Sequence, residues 1–303
     1  MVSPYLTSIE DVLRSAKQHG LELDVKSARA NISGMDFFAV FARDNEGTEW
    51  VLRSPRRAEV VERARHERRV LDLVRPRLPV AVPEWRIHSS ELIAYPKLLG
   101  VPAGEIDLEA KAYAWNINHE ELSSAFIQST ADALVAIHAV DYADATAADF
   151  DTPDISNVRK KISEQINQVR RKIGVADRLW QRWQTWLSTD EFWRHKPTFV
   201  HGDFHAGHMI IDEGERLTGI LDWTEGEVGD PAIDFAAFQM VFGEQGMAPL
   251  LKAYAAGGGC VWSQMREHVN ETLAAVPAKI GLFALASGKD EHMSMAKAAL
   301  EVP

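Results

Sequence analysis

Cysteine is almost missing from this sequence: Cys260 is the single one in 303 residues. That excludes an intrachain disulfide framework and fits a reducing compartment. Positive charge is scarce as well, with 33 Lys and Arg against 44 Asp and Glu, a net charge of −11. Such a balance argues against nucleic acid or an anionic membrane surface as partner. Neither a cationic–apolar leader nor a long uncharged apolar run is visible, so export and membrane spanning are not expected and a cytoplasmic protein is. Internal repeats and low-complexity segments are also lacking. What remains is a chain with 46% apolar residues, long enough for one large domain or two lobes.

The densest chemistry lies in TFVHGDFHAGHMIIDEGERLTGILDWTEGE, positions 198–227. His201, Asp203, His205 and His208 fall close together, and two short apolar runs around Asp212-Glu213-Gly214-Glu215 follow. Short β-branched runs about a glycine turn predict a hairpin. It places Asp203 in the loop before the hairpin and Asp222 at its far end, so a tight turn can bring both carboxylates to one end. Carboxylates at such a place suit an oxygen-seeking ion such as Mg²⁺ on a phosphate. Two other readings use the same residues. The aspartates can be turn residues with the histidines as packing, or HGDFHAGH can be a metallohydrolase cluster in which His201, His205 and His208 hold zinc.

In the amino-terminal third, Ser8 to His19 predicts a helix, with Ser8 as cap, Glu10 and Asp11 in the first turn and Gly20 as stop. Strands are expected over Met35–Arg43 and Thr48–Arg53 about the turn Asp44–Gly47. The preceding Asn31–Asp36 stretch holds one glycine and reads either as a phosphate-covering loop or as a plain turn. Ala58–Val74 carries an apolar stripe of Val60, Ala64, Leu71 and Val74, with Glu67 in its middle. A carboxylate on a buried helix face is costly unless paired. Arg53, ending the previous strand, is the nearest candidate partner; the alternative is that Glu67 sits at the stripe's edge and reaches water. Two short runs, Glu84–Ile87 and Glu91–Tyr95, complete an expected five-strand sheet with one inserted helix, over residues 1–96.

Residues 97–118 lose all periodicity and read as a linker. From 119 to 303 the pattern is helical, with the hairpin in its middle. Val158, Ile162, Ile166, Val169 and Ile173 form one stripe, and Trp180, Trp183 and Trp186 a second face expected to be core. His138 reads as a satisfied helix histidine. Asp230 as cap with Pro231 at the first helical position opens a helix that stops at Gly243. A second helix covers Met247–Ala256, before Gly257-Gly258-Gly259, and Pro277 interrupts the last helical stretch.

HGD at His201–Asp203, ILDW about twenty residues on, and GDPxxD at Gly229–Asp234 resemble the antibiotic phosphotransferases. The likeness covers nearly the whole chain. WVLRSPRR, VPEWRI, AYPKL and DWTEGEVGDPAIDFA are most similar to the macrolide 2′-phosphotransferases. The resemblance implies an α+β, two-lobe protein-kinase-like fold. It also implies transfer of the γ-phosphate of GTP, in preference to ATP, to the desosamine 2′-hydroxyl of a macrolide, with Mg²⁺ as cofactor and a monomeric enzyme. Asp203 matches the catalytic aspartate and Asp222 the metal-binding one. Arg53 matches the cation on the α/β-phosphates and Glu67 its helix partner. Tyr95, Lys97 and Leu98 match the hinge that holds the base, and Ser33 and Ile220 complete the nucleotide-contacting set. Two positions depart from the pattern. Arginine replaces the lysine of protein kinases, a planar fork in place of a point charge, and His208 stands where most relatives carry a metal-binding asparagine, although Mg²⁺ prefers oxygen. An aminoglycoside or a small metabolite alcohol is the alternative substrate. Phe204, Phe238, Phe242 and Phe283 are candidate walls for an apolar ligand.

Overall fold

Alternation of apolar residues builds the amino-terminal sheet. In a computed structural model that describes residues 5–31, 34, 36–107 and 112–302, five antiparallel strands run in the order β1-β2-β3-β5-β4. They are β1 (Leu23–Asn31), β2 (Phe37–Asp44), β3 (Glu49–Pro55), β4 (Ile87–His88) and β5 (Ile93–Pro96). Phe38, Val40 and Ala42 of β2, Leu52 of β3 and Ala94 of β5 share one face and pack with Val12 and Ala16 of helix α1 (Ile9–Gln18). The cap of α1 is as expected: Ser8 accepts the Asp11 amide, and Gly20 beyond the helix has φ +83°. The period of two turns Arg53 to the opposite face, where α2 (Ala58–Val74) follows β3.

Residues 97–118, read above as a linker, hold short strands where they are described. They carry β6 (Val101–Pro102), β7 (Gly104–Asp107) and β8 (Ala112–Trp115). The expected hairpin is present as β10 (Met209–Ile211) and β11 (Leu217–Ile220), and β6 extends it into a three-stranded sheet through Pro102–Ile210 and Val101–Ile211. Contacts divide the chain into two compact units. One holds Met1–Asn116 with Gly207–Glu225, and the other Ile117–Ala206 with Gly226–Pro303. The hairpin therefore groups with the amino-terminal sheet rather than with the helices that flank it in sequence.

The second unit is helical. It contains α3 (Ser124–His138), α4 (Tyr142–Ala147), α5 (Ile155–Lys172), α6 (Asp177–Ser188), α7 (Ala232–Ala256), α8 (Met265–Ala274), α9 (Val276–Ser287) and α10 (Asp290–Ala299). A short antiparallel pair, β9 (Thr198–Val200) with β12 (Glu227–Gly229), stands among them. Asp230 accepts the Ala232 amide at 3.0 Å and so opens α7 as predicted. Gly243, with φ 66° and ψ −173°, breaks that helix into two pieces at the expected stop. The core gathers Ile166 and Val169 of α5, Trp183 and Trp186 of α6, and Leu300, so these two tryptophans are packing residues. The stretch Met265–Ser287 has the length and hydropathy to cross a membrane, yet it is broken at Ala275, with proline opening α9. Phe204, Phe238 and Phe242, offered above as ligand walls, are wholly buried core; Phe283 is 37% exposed.

Candidate active site

The amino-terminal unit assembles five of the residues singled out by sequence. Arg53 on β3 meets Glu67 on α2 as a fork, with Nη1–Oε1 at 3.0 Å and Nη2–Oε2 at 3.1 Å. Glu67 is fully buried and Arg53 nearly so, so the edge-of-stripe alternative for Glu67 does not hold. The guanidinium also lies 4.0 Å from the centre of the Phe37 ring, a cation–π contact. Burial works against the Arg53 charge, but Glu67, Tyr95 and Asp222 outweigh it and hold the guanidinium firmly protonated. Burial also pushes the Glu67 carboxyl upward, while Arg53 pulls it back and the Trp223 amide helps. Two in-plane N–H donors on one carboxylate describe an ion pair. Tyr95, expected to serve through its backbone, adds its side chain here: burial raises its phenol, and the nearby Arg53 charge works against that rise.

Asp222 joins this group from the end of β11. Its φ of +55° is in the left-handed region, an uncommon conformation for a residue other than glycine. One carboxylate oxygen, Oδ1, accepts the Thr224 hydroxyl at 2.6 Å. The other, Oδ2, lies 3.8 Å from His208 Nε2, too long for a hydrogen bond. Two ligands each about 2.1 Å from one ion stand roughly 3.0 to 4.2 Å apart, so the spacing fits a shared cation. Thr224 had gone unnoticed in the sequence, although it follows Asp222 by two positions.

The nucleotide-contacting set is only partly brought together. Ser33 lies outside the described residues. The Lys97 amide is used within the sheet, on the Glu49 carbonyl at 2.7 Å, and its ammonium sits 3.3 Å from Glu49 Oε2. Leu98 packs beside Gly219, where an added methyl would meet its Cδ1 at 2.9 Å. The neighbouring Ile220 is buried, with its carbonyl taken by the Trp223 indole.

The helical unit carries Asp203 in the turn after β9. Gly202 before it has φ +84°, a conformation glycine supplies without strain. Asp203 is half exposed, and its amide donates to His201 Nδ1 at 3.2 Å. His201 is fully buried. A histidine so enclosed, with one ring nitrogen already accepting, does not serve the zinc cluster of the hydrolase reading. The turn is pinned from beneath by Asp234 of α7. Asp234 Oδ2 accepts the His201 amide at 2.9 Å and Oδ1 the Gly202 amide at 2.8 Å. Burial works against the Asp234 charge, yet His138 and the His201 amide hold its carboxyl below the usual range. In the sequence Asp234 stands only as the last residue of the GDPxxD motif, with no role assigned to it. The signal that could have found it was the acidic residue four positions after Asp230 on a helix otherwise apolar at its beginning.

A second buried cluster, His195, Asp230 and His268, has ligand atoms close enough to share an ion. Its hydrogen bonds argue otherwise. The Trp186 indole N–H donates to His268 Nδ1 at 3.0 Å, and an indole is a donor only. The proton of His268 therefore sits on Nε2, which donates to Asp230 Oδ2 at 2.6 Å. His268 therefore keeps no lone pair for a metal, and its bond to Asp230 helps anchor the start of α7.

Comparison with known proteins accords with this geometry. A model of the phosphotransferase enzyme family matches residues 27–268. The uncharacterised protein YcbJ of Bacillus subtilis (strain 168) is 43% identical over 294 residues, spanning 97% of this chain and 96% of its own. The structure of a macrolide 2′-phosphotransferase type I aligns with a TM-score of 0.90 at 41% identity, over 97% of this chain and 98% of that one. Macrolide 2′-phosphotransferase MphH from Brachybacterium faecium aligns with a TM-score of 0.89 at 37% identity, with the same coverage. The chain belongs to the phosphotransferase enzyme family and has its kinase-like α+β fold.

Proposed function

We propose that this member of the phosphotransferase enzyme family moves the γ-phosphate of GTP to the desosamine 2′-hydroxyl of a macrolide antibiotic. The observation that carries the chemistry is the buried Arg53–Glu67 fork with Asp222 beside it. Phosphoryl transfer asks a protein for placement and charge neutralisation more than for covalent help. A guanidinium locked by two hydrogen bonds to a buried carboxylate is a fixed positive plane for phosphate oxygens. The macrolide assignment draws on 37–41% identity, over almost the full chain, to two macrolide 2′-phosphotransferases.

In this reading Asp203 orients the sugar hydroxyl and accepts its proton as the new P–O bond forms. Asp234 fixes the turn on which Asp203 rides. Asp222, oriented by Thr224 and accompanied by His208, would hold magnesium. The ion supplies neutralisation of charge on the β- and γ-phosphates. Arg53 steadies the remaining phosphate oxygens, and Leu98 and Ile220, on either side of Gly219, would contact the base.

The test is direct. The protein is incubated with erythromycin and magnesium, with GTP or ATP supplied separately, and the drug is examined for a phosphate mass increment. The expected result is phosphorylated drug, formed faster with GTP. Phosphorylation of an aminoglycoside such as kanamycin and not of erythromycin would move the substrate assignment to the sister group, and no product with any alcohol would remove the reading.

A further inference from the structure

The Gly257-Gly258-Gly259 run and His138 have no part in the mechanism above, yet the structure joins them to the Asp203 turn. Tyr254, near the end of α7 and fully buried, lies 2.9 Å by its hydroxyl from His138 Nδ1. His138 Nε2 lies 3.2 Å from Asp234 Oδ2, the oxygen that also takes the His201 amide. A carboxylate only accepts, so Asp234 Oδ2 takes its hydrogen bond from His138 Nε2, and Nδ1 is left to accept from the Tyr254 hydroxyl. His138 then carries its proton on Nε2 and donates it to Asp234. Both donors run one way, from Tyr254 through His138 to the carboxylate beneath Gly202.

The glycines are what permit this. A methyl group on Gly259 would overlap the Tyr254 ring at 2.3 Å, and Gly258 has φ +93°. Only a chain without side chains at these places lies this close against the ring that carries the hydroxyl.

We infer that Tyr254 and His138 are positioning residues for phosphoryl transfer: they fix the orientation of Asp234 and, through it, the turn that presents Asp203. This rests on the phosphotransferase reading for its kinetic consequence, but not for its structural one. Neither residue touches substrate. A carboxylate that loses one of its buried donors rotates or protonates, and the two amides it holds loosen with it.

The experiment uses Tyr254→Phe, which removes one oxygen and keeps the ring against Gly259, together with His138→Gln and His138→Ala. In nucleotide-free protein, deuterium exchange at the His201 and Gly202 amides is expected to accelerate in Tyr254→Phe. Its kcat is expected to fall between about tenfold and a hundredfold, as misplacement of a reacting group does, while the nucleotide KM stays within about twofold of wild type. His138→Gln, which keeps an amide donor toward Asp234, is expected to retain more turnover than His138→Ala. Nitrogen-15 NMR of the wild-type protein gives a reading that needs no variant: His138 should carry its proton on Nε2. A proton on Nδ1 overturns the inference, as does unchanged exchange in Tyr254→Phe. Faster exchange with unaltered turnover, or a loss of turnover matched by a rise in nucleotide KM, overturns the positioning role. Exchange and tautomer are read without any substrate, so they stand or fall independently of the phosphotransferase assignment.

Discussion

Each of the two units buries carboxylates close to the groups it offers to chemistry, and each neutralises that cost differently. In the amino-terminal unit Glu67 faces the guanidinium of Arg53, which stays charged at every accessible pH. In the helical unit Asp230 and Asp234 sit at the start of α7, held by imidazoles and backbone amides. The first arrangement cancels a charge with a charge and leaves a cation ready for phosphate. The second keeps an anion in place with dipoles, including the positive end of a helix, and uses it to hold backbone rather than ligand. One buried acid organises an electrostatic surface and the other a geometry.

Removing the group each arrangement serves separates these roles. Asp203→Asn deprives the helical unit of its proton acceptor. Turnover should fall by roughly a factor of 10² to 10⁴ with nucleotide binding intact, as measured by steady-state kinetics beside calorimetric titration of GTP. Near-full activity would take the catalytic role from Asp203.

The next effect is on stability and is asymmetric. Arg53→Ala strands a fully buried carboxylate, and breaking a buried pair costs about 3–5 kcal/mol. Glu67→Ala strands a cation that still has Tyr95 and Asp222 near it, so its denaturation midpoint should drop less. In activity the double variant should be no worse than the worse single, because the pair acts as one unit. Additive losses would mean that the fork is not the functional element.

Acid should destabilise the protein through the two buried aspartates of the helical unit. Asp234 has its carboxyl held down by His138, and Asp230, against burial, by His268 and His195. A carboxyl depressed in the folded state binds fewer protons than in the unfolded chain. It therefore adds stability above the ordinary carboxylate pKa of about 3.9 that is lost as pH falls toward the folded value. Denaturant melts of the wild type should weaken steadily below about pH 4, with a shallower slope in Asp234→Asn. An equal slope in both would show that Asp234 does not contribute.

The smallest expected change is at Thr224. Thr224→Val keeps the shape and removes one hydrogen bond to Asp222, so turnover at limiting magnesium should drop roughly two- to tenfold and recover when magnesium is raised. A loss that magnesium does not restore would place Thr224 elsewhere in the mechanism.

The same contrast explains what could be read in the sequence. Glu67 was visible because it interrupts a regular stripe, and Arg53 because it ends the strand just before, 14 positions away. The hairpin, the Asp230 cap and the Gly243 break are likewise local signals. His138 and Asp234 are 96 positions apart, so although Asp234 interrupts an apolar helix start, nothing local pairs it with His138. Strands β6 to β8 were missed because they are two to four residues long and owe their form to distant partners. The grouping of Gly207–Glu225 with the amino-terminal sheet follows in part from β6 pairing with β10, a contact that no periodicity announces.

The location of the transferred phosphate tests the account most directly. Product from wild-type protein, GTP, magnesium and erythromycin is purified and examined by phosphorus–proton correlation NMR. The account predicts a single phosphorus resonance coupled to the desosamine 2′ proton. Coupling to a proton at any other carbon, or GTP consumed with the drug unchanged, would contradict it.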